Sequence, residues 1–229
     1  MKPLIAFCQS SIGKKWIVAV TGLVLILFVI GHMLGNLQIF LGPETLNAYG
    51  AKLQGLGDLL WLIRGFLIVV IVAHIVTTVR LAIQSAAARP QKYAVKKNVA
   101  ASAGAKTMLL SGLVLISFIV YHLLHFTAQT IHPEWKTWHD AAGQHDIYRM
   151  MIAGFQNPLV SGFYILSVFL LSLHLSHGIQ SFLQTLGGRT RGFAPAISRG
   201  GRILAWAIFA GYAAIPVAVL LGVLTVKGH

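Results

Sequence analysis

The stretch Gly22-Leu-Val-Leu-Ile-Leu-Phe-Val-Ile-Gly-His32 returns 90 positions later as Gly112-Leu-Val-Leu-Ile-Ser-Phe-Ile-Val-Tyr-His122. Both copies read as uncharged apolar helices that end in a histidine. An imidazole that deep in an apolar run costs free energy unless something binds it, so it marks a functional site by default. The rest of the chain can be arranged around these two histidines.

The 229 residues are 56% hydrophobic and 10% charged, with a mean hydropathy of +0.76. That composition lies outside the soluble globular class and points to an integral membrane protein. The formal net charge of +13 does not point to nucleic acid, because the basic residues fall almost entirely between the apolar runs, where they act as topology determinants. Cys8 is the single cysteine, which excludes a disulfide framework, a thiolate zinc site and the C-x-x-C-H attachment of covalent haem. Any metal centre must therefore use histidine. The first apolar run, about 25 residues from Trp16, exceeds a signal-peptide h-region and reads as a membrane span.

Five runs reach the roughly 20 residues a spanning helix needs. They cover about 16–41, 59–85, 106–130, 158–184 and 203–226, and residues 1–229 form a single all-α membrane domain. Gly42-Pro43 closes the first run, Arg89-Pro90 follows the second, and Asn157-Pro158 caps and starts the fourth, which Gly187-Gly188 ends. Pro216 predicts a kink in the fifth. One set of connections holds Lys2, Lys14, Lys15, Arg80, Arg89, Lys92, Lys96, Lys97, Lys106, Arg189, Arg191, Arg199 and Arg202 and no acid. The opposite set holds Lys52, Lys136, Arg149 and Lys227 with Glu44, Asp58, Glu134, Asp140 and Asp146. The positive-inside rule then puts the N-terminus in the cytoplasm and the C-terminus outside. The basic face suits anionic lipid or a soluble partner.

Histidines inside the runs are His32, His74, His122, His125, His174 and His177. His132, His139, His145 and His229 fall in exterior connections or at the end, where solvation is the expectation. His32 and His122 each lie about 15 residues into outward helices, roughly 22 to 24 Å from the cytoplasmic end. His74 and His174 lie about as far into inward helices, hence in the inner half. Four helices thus supply two layers of two imidazoles, the geometry of two bis-histidine haems stacked in a helical bundle. Zinc would call for three or four ligands with carboxylate or cysteine. A single buried histidine is most simply an interhelical hydrogen bond, but four at matched depths on successive helices are not. His125 and His177 follow His122 and His174 by three residues, on nearly the same helix face, and spacing leaves each doublet open. Arg64, about 15 Å outward of His74, and Arg80, about 9 Å inward of it, are candidate propionate partners; snorkelling is the simpler account of both.

Three motifs give the chain a family resemblance: Trp16-Ile with Thr21-Gly-Leu-x-Leu-x-Leu-Phe-x-Ile-Gly-His32-Met, Tyr121-His122, and His174-Leu-Ser-His177-Gly-Ile-Gln-Ser-Phe-Leu-Gln-Thr-Leu-Gly187. Across nearly its whole length the sequence resembles the di-haem cytochrome b membrane anchor of succinate:quinone oxidoreductases, the succinate dehydrogenase and fumarate reductase complexes. The resemblance implies two haem b groups, with His32 and His122 ligating the outer iron and His74 and His174 the inner one. His125 and His177 are then left to contact propionates or to support the ligands from behind. It also implies a flavoprotein and an iron–sulfur subunit on the cytoplasmic face of a bacterial inner membrane. Electron transfer would be to quinone, menaquinone in preference to ubiquinone, within the respiratory chain and tricarboxylic acid cycle. Dicarboxylate chemistry would belong to the flavoprotein. The nearest outer carboxylates, Glu44 and Asp58, match no glutamate of the family's menaquinone-handling members.

Two other readings compete. One is the cytochrome b subunit of a formate dehydrogenase or hydrogenase, which a molybdenum or nickel partner would reveal. The other is a haem-free transporter with histidine relays.

Overall fold

The computed structural model describes residues 2–88, 103–188, 190 and 192–226. Arg89, Lys92, Lys96, Lys97, Arg189, Arg191, Lys227 and His229 lie outside the described residues, as do the side chains of Lys2 and Lys106. Among the described residues eight α-helices follow in order: α1 (Lys2–Gln9), α2 (Ser11–Asn36), α3 (Pro43–Gln54), α4 (Asp58–Ala87), α5 (Ala103–His122), α6 (Ile147–Gln156), α7 (Pro158–Thr185) and α8 (Ala194–Leu220). Five segments are long and apolar enough to cross a membrane: Ser11–Leu41, Asp58–Ala87, Leu110–Thr127, Pro158–Thr185 and Ala194–Leu220. The remaining regular structure among the described residues is short turns and one isolated bridge between His139 and His145.

Local chemistry sets the ends of these helices. The Ser10 side chain accepts from the Gly13 N–H at 3.0 Å and so starts α2. Residue 13 is glycine because a Cβ there would collide with the Phe7 carbonyl of α1. After α2 a 3₁₀ turn, Leu37–Leu41, is stopped by Gly42 at φ 102°, and Pro43 opens α3. Asn157 accepts from the Leu159 and Val160 N–H groups at 2.9 and 3.4 Å, with Pro158 at the tolerated first position of α7.

One expectation is corrected at the far end of α8. The helix carries buried Pro216 and ends at Leu220, short of the sequence limit of 226. Gly222 at φ 70° turns the chain, the Val223 N–H caps the Ala218 carbonyl at 2.9 Å, and Leu224 is buried back in the core. This left-handed glycine cap is what ends the span.

In the bundle α2 packs along α4 and α7, α5 along α7, and α8 along α7. No comparable packing joins α4 to α5, α2 to α5 or α4 to α7 among the described residues. The four histidine-bearing helices therefore stand at the corners of a square with three packed edges. Lipid offers no hydrophobic drive between helices, so close contact relies on small residues. On α8 these are Gly201, whose Cβ would sit 3.1 Å from Ile179 of α7, and fully buried Ala205.

The acid-bearing connections, expected to be solvated, form a folded cap instead. Asn47 of α3 is fully buried and donates both amide hydrogens, to Asp140 at 3.0 Å and Asp146 at 3.1 Å. Its carbonyl oxygen accepts from the Tyr148 N–H at 3.0 Å. Burial pulls the Asp140 carboxyl up, but hydrogen bonds from the Gln144 N–H, the Asn47 amide and the Ala142 N–H, with His139 nearby, outweigh it and hold the group below its ordinary range. Of the exterior histidines, His139 is exposed as expected. His132 stacks on Trp135 with ring centroids 4.3 Å apart while 43% of its side chain stays exposed, and His145 is engaged, hydrogen-bonding Gln129 at 2.9 Å and the Trp138 carbonyl at 3.1 Å.

Asn47→Ala removes one hydrogen bond from each of two carboxylates and leaves the buried Tyr148 N–H unpaired, so thermal unfolding in detergent should show a loss of about 2–4 kcal/mol. Because the folded Asp140 carboxyl is the more acidic, its share of stability is present at neutral pH and is lost as pH falls below about 4. A pH series of melting temperatures reads that loss, and Asp140→Asn should flatten it.

Candidate functional site

The helix carrying each histidine sets its height, and the neighbouring helix sets the direction of its ring. His32 on α2 and His122 on α5 face each other across one diagonal of the square, ring centroids 5.8 Å apart and planes at 81°. The two helices do not pack closely on each other, and these rings meet in the space between them. In both repeat copies the phenylalanine four residues earlier lies against its own histidine: Phe28 on His32 at 5.4 Å, Phe118 on His122 at 5.8 Å. That is the i, i+4 neighbour relation of a helix.

His74 on α4 and His174 on α7 share the other diagonal, nearer the basic end. Each is tied through Nδ1 to a hydroxyl on the adjacent packed helix: His74 to Thr21 of α2 at 3.0 Å, His174 to Ser111 of α5 at 3.4 Å. Each hydroxyl also lies against a carbonyl of its own helix, Thr21 against Ile17 at 2.6 Å and Ser111 against Met108 at 3.1 Å. With its hydrogen given to that carbonyl, the oxygen accepts from an Nδ1–H and Nε2 is left with a bare lone pair. That is the tautomer a metal-ligating histidine requires. Gly22 leaves room for the His74 ring, since a Cβ there would sit 3.4 Å from its Cε1.

Thr21 and Ser111 stand immediately before Gly22 and Gly112, eleven positions before His32 and His122. Eleven residues of helix rise about 16 Å, which is the spacing of the two layers. On α7, Tyr164 reaches the His122 level, ten positions before His174.

The doublets separate. Directly after His122 the helix widens into a π-turn, Leu123–Thr127, which swings His125 off the His122 face. His125 is buried and packs toward the cap, its ring 4.1 Å from Phe126 and 5.2 Å from Trp135. The Tyr164 hydroxyl lies 3.0 Å from His125 Nδ1 and 3.4 Å from His122 Nδ1. It has one hydrogen to give, so donating it to His125 leaves its oxygen to accept from His122. His177 is engaged on its own helix, with Nε2 3.1 Å from the Ser181 hydroxyl.

Arg64 is at the height of the His32–His122 layer but lies over the exposed Trp61 ring, 4.9 Å from its centroid. Arg80 is exposed and makes no contact with the histidines among the described residues. Neither guanidinium is brought against the four-histidine set. Residues that sequence reasoning missed are Thr21 and Ser111, Tyr164, and Tyr212 of α8, whose ring is 6.2 Å from His32 while its hydroxyl donates to the Val29 carbonyl at 2.7 Å. The signal for the first two was available, as hydroxyls at matching positions of the repeat.

Among the described residues no three His, Cys, Asp or Glu side chains converge on one point. His32 and His122 form an opposed pair, which suits a metal whose other ligands come from its own macrocycle. Two imidazole–metal bonds of about 2 Å plus half a ring on each side give centroids roughly 6 to 7 Å apart, close to the His32–His122 separation. For that pair the donor set and spacing fit bis-histidine haem. A hollow of about 430 Å³ lies elsewhere, on the cap, lined by Trp138, Arg149, Ile152 and Gln156. Comparison with protein-family models, curated proteins and solved structures finds no match.

The packing divides structural from candidate ligating histidines. His125→Ala, which opens a hole among Phe126, Trp135 and Tyr164, should cost about 2–4 kcal/mol by thermal unfolding of the purified chain. His177→Ala, which loses one partly buried contact on its own helix, should cost about 1 kcal/mol or less.

Proposed function

We propose that this chain is the membrane-anchor and electron-transfer subunit of a succinate dehydrogenase or fumarate reductase, holding two b haems between four histidines. The observation that carries the reading is the His32–His122 pair, ring centroids 5.8 Å apart between α2 and α5, with His74 and His174 each set through Nδ1 against a hydroxyl of a neighbouring helix, which suits ligation through Nε2. Bound there, haem b supplies reversible one-electron chemistry at two heights in the membrane. His32 and His122 would hold the outer iron, and His74 and His174 the inner one. The chain's own part is to orient the rings, to keep water from the apolar interior and to fix the distance between layers through the rigid rise of α2 and α5.

The family resemblance supports the rest of the reading. The partners would be a flavoprotein and an iron–sulfur protein on the basic, cytoplasmic face, with quinone in the bilayer. The location would be a bacterial inner membrane, N-terminus inside and C-terminus outside. Arg64 would have to leave Trp61 to meet a propionate, and a long side chain at a lipid-facing position has that freedom.

Haem quantification tests the proposal. The purified chain should carry two b-type haems with resolvable reduced-minus-oxidised bands. His32→Ala or His122→Ala should remove one, His74→Ala or His174→Ala the other, and His125→Ala neither. A preparation without b-type absorbance would sink the reading, and co-purification with a molybdenum or nickel protein would transfer the chain to another respiratory complex.

A further inference from the structure

We infer that Thr21 and Ser111 are positioning residues that set the electronic character of the inner site through the Nδ1 hydrogens of His74 and His174. The inference rests on the haem reading proposed above. Both hydroxyls occupy the same position of the internal repeat, one residue before Gly22 and Gly112. Both lie against Nδ1 of an imidazole on a neighbouring helix, at 3.0 and 3.4 Å. In each case a carbonyl of the hydroxyl's own helix is within hydrogen-bond distance, so the oxygen can give its hydrogen there and accept from the Nδ1–H that a histidine ligating through Nε2 carries. Each repeat helix therefore carries a ligand for one layer and the orienting oxygen for the other.

A simpler account exists. Threonine and serine in apolar helices commonly return their hydroxyl to the i−3 or i−4 carbonyl and need no other partner. That account explains the bonds to Ile17 and Met108 but not the coincidence of two imidazoles at two equivalent positions. It also leaves unexplained the difference between layers. In the inner layer both rings are tied through Nδ1 to aliphatic hydroxyls. In the outer layer His122 shares the Tyr164 hydroxyl with His125, and His32 is held by stacking on Phe28.

An imidazole that donates from Nδ1 to an oxygen is a stronger base at Nε2. A stronger donor favours the oxidised metal, so these two bonds lower the midpoint potential of the inner site. Removing one should raise it.

The test uses the purified haem-loaded chain, or its complex, with redox titration of each haem and low-spin ferric electron paramagnetic resonance. The inner component is identified as the one lost in His74→Ala. Thr21→Val keeps the shape and removes the oxygen; Ser111→Ala removes the other. Each should shift the inner reduced-to-oxidised ratio at a fixed potential by about ten-fold toward reduced, about 59 mV for a one-electron couple. The inner resonance should change with it while the outer component stays in place. Thr21→Ser and Ser111→Thr, which keep the hydroxyl, should restore both signals and show that the loss is of an oxygen rather than of packing. Unchanged inner potentials, or equal shifts of both components, overturn the inference while leaving the haem reading intact. A wild-type chain without haem overturns both.

Discussion

Four half-buried imidazoles in an apolar bundle are the constraint on which the rest of this structure depends. Each carries a donor and an acceptor into apolar surroundings that do not satisfy them. The chain answers along the packed edges of the square: α2 supplies Thr21 to α4, α5 supplies Ser111 to α7, and α7 supplies Tyr164 to α5. Three of the four rings are thus held from one side by a neighbouring helix, while His32 lies against Phe28 of its own helix. The same arrangement explains why two edges of contact run through α7, which is the most enclosed of the four histidine-bearing helices and carries the buried serines 161, 167 and 172.

The cap contributes by fixing where α5 ends. The π-turn at Leu123–Thr127 inserts extra backbone into the last turn, and Gln129 beyond it sits at φ 52°. A non-glycine residue in that region stores strain of about 1 kcal/mol or more unless its surroundings hold it. Here the Gln129 amide donates to His145 at 2.9 Å and to the Met150 sulfur at 3.0 Å, and Asn47 ties α3 to the segment bearing His145 and Met150. The anchoring of the cap thus reaches, through Gln129, to the point where His122 and His125 diverge.

Much of this was legible in the residues. Runs of apolar side chains with glycine, proline and asparagine at their ends announced the five long helices, because backbone groups in lipid must be satisfied within the helix. Helical rise alone gave the two heights of the histidines. The cap was not legible: its helices α3 and α6 are short and mixed in composition, and their stability comes from Asn47 reaching carboxylates 93 and 99 positions away. No local pattern reports a contact of that separation. The early end of α8 was missed for a related reason, since Val223 and Leu224 are apolar enough to extend the run while Gly222 reverses it.

Composition and periodicity were thus enough for an all-helical chain with five apolar helices, a repeated helix, and a histidine at the matched position of each copy. Both act within one helix, and those properties need nothing more. Which imidazoles face each other, which member of each His-x-x-His pair turns away, and which hydroxyl meets which ring came only with the assembly of the bundle. They depend on the rotation of each helix about its axis, which is set by packing against neighbours far away in the chain. Thr21 and Ser111 show the division: their place in the repeat was visible in the sequence, but their partners sit 53 and 63 residues away on other helices.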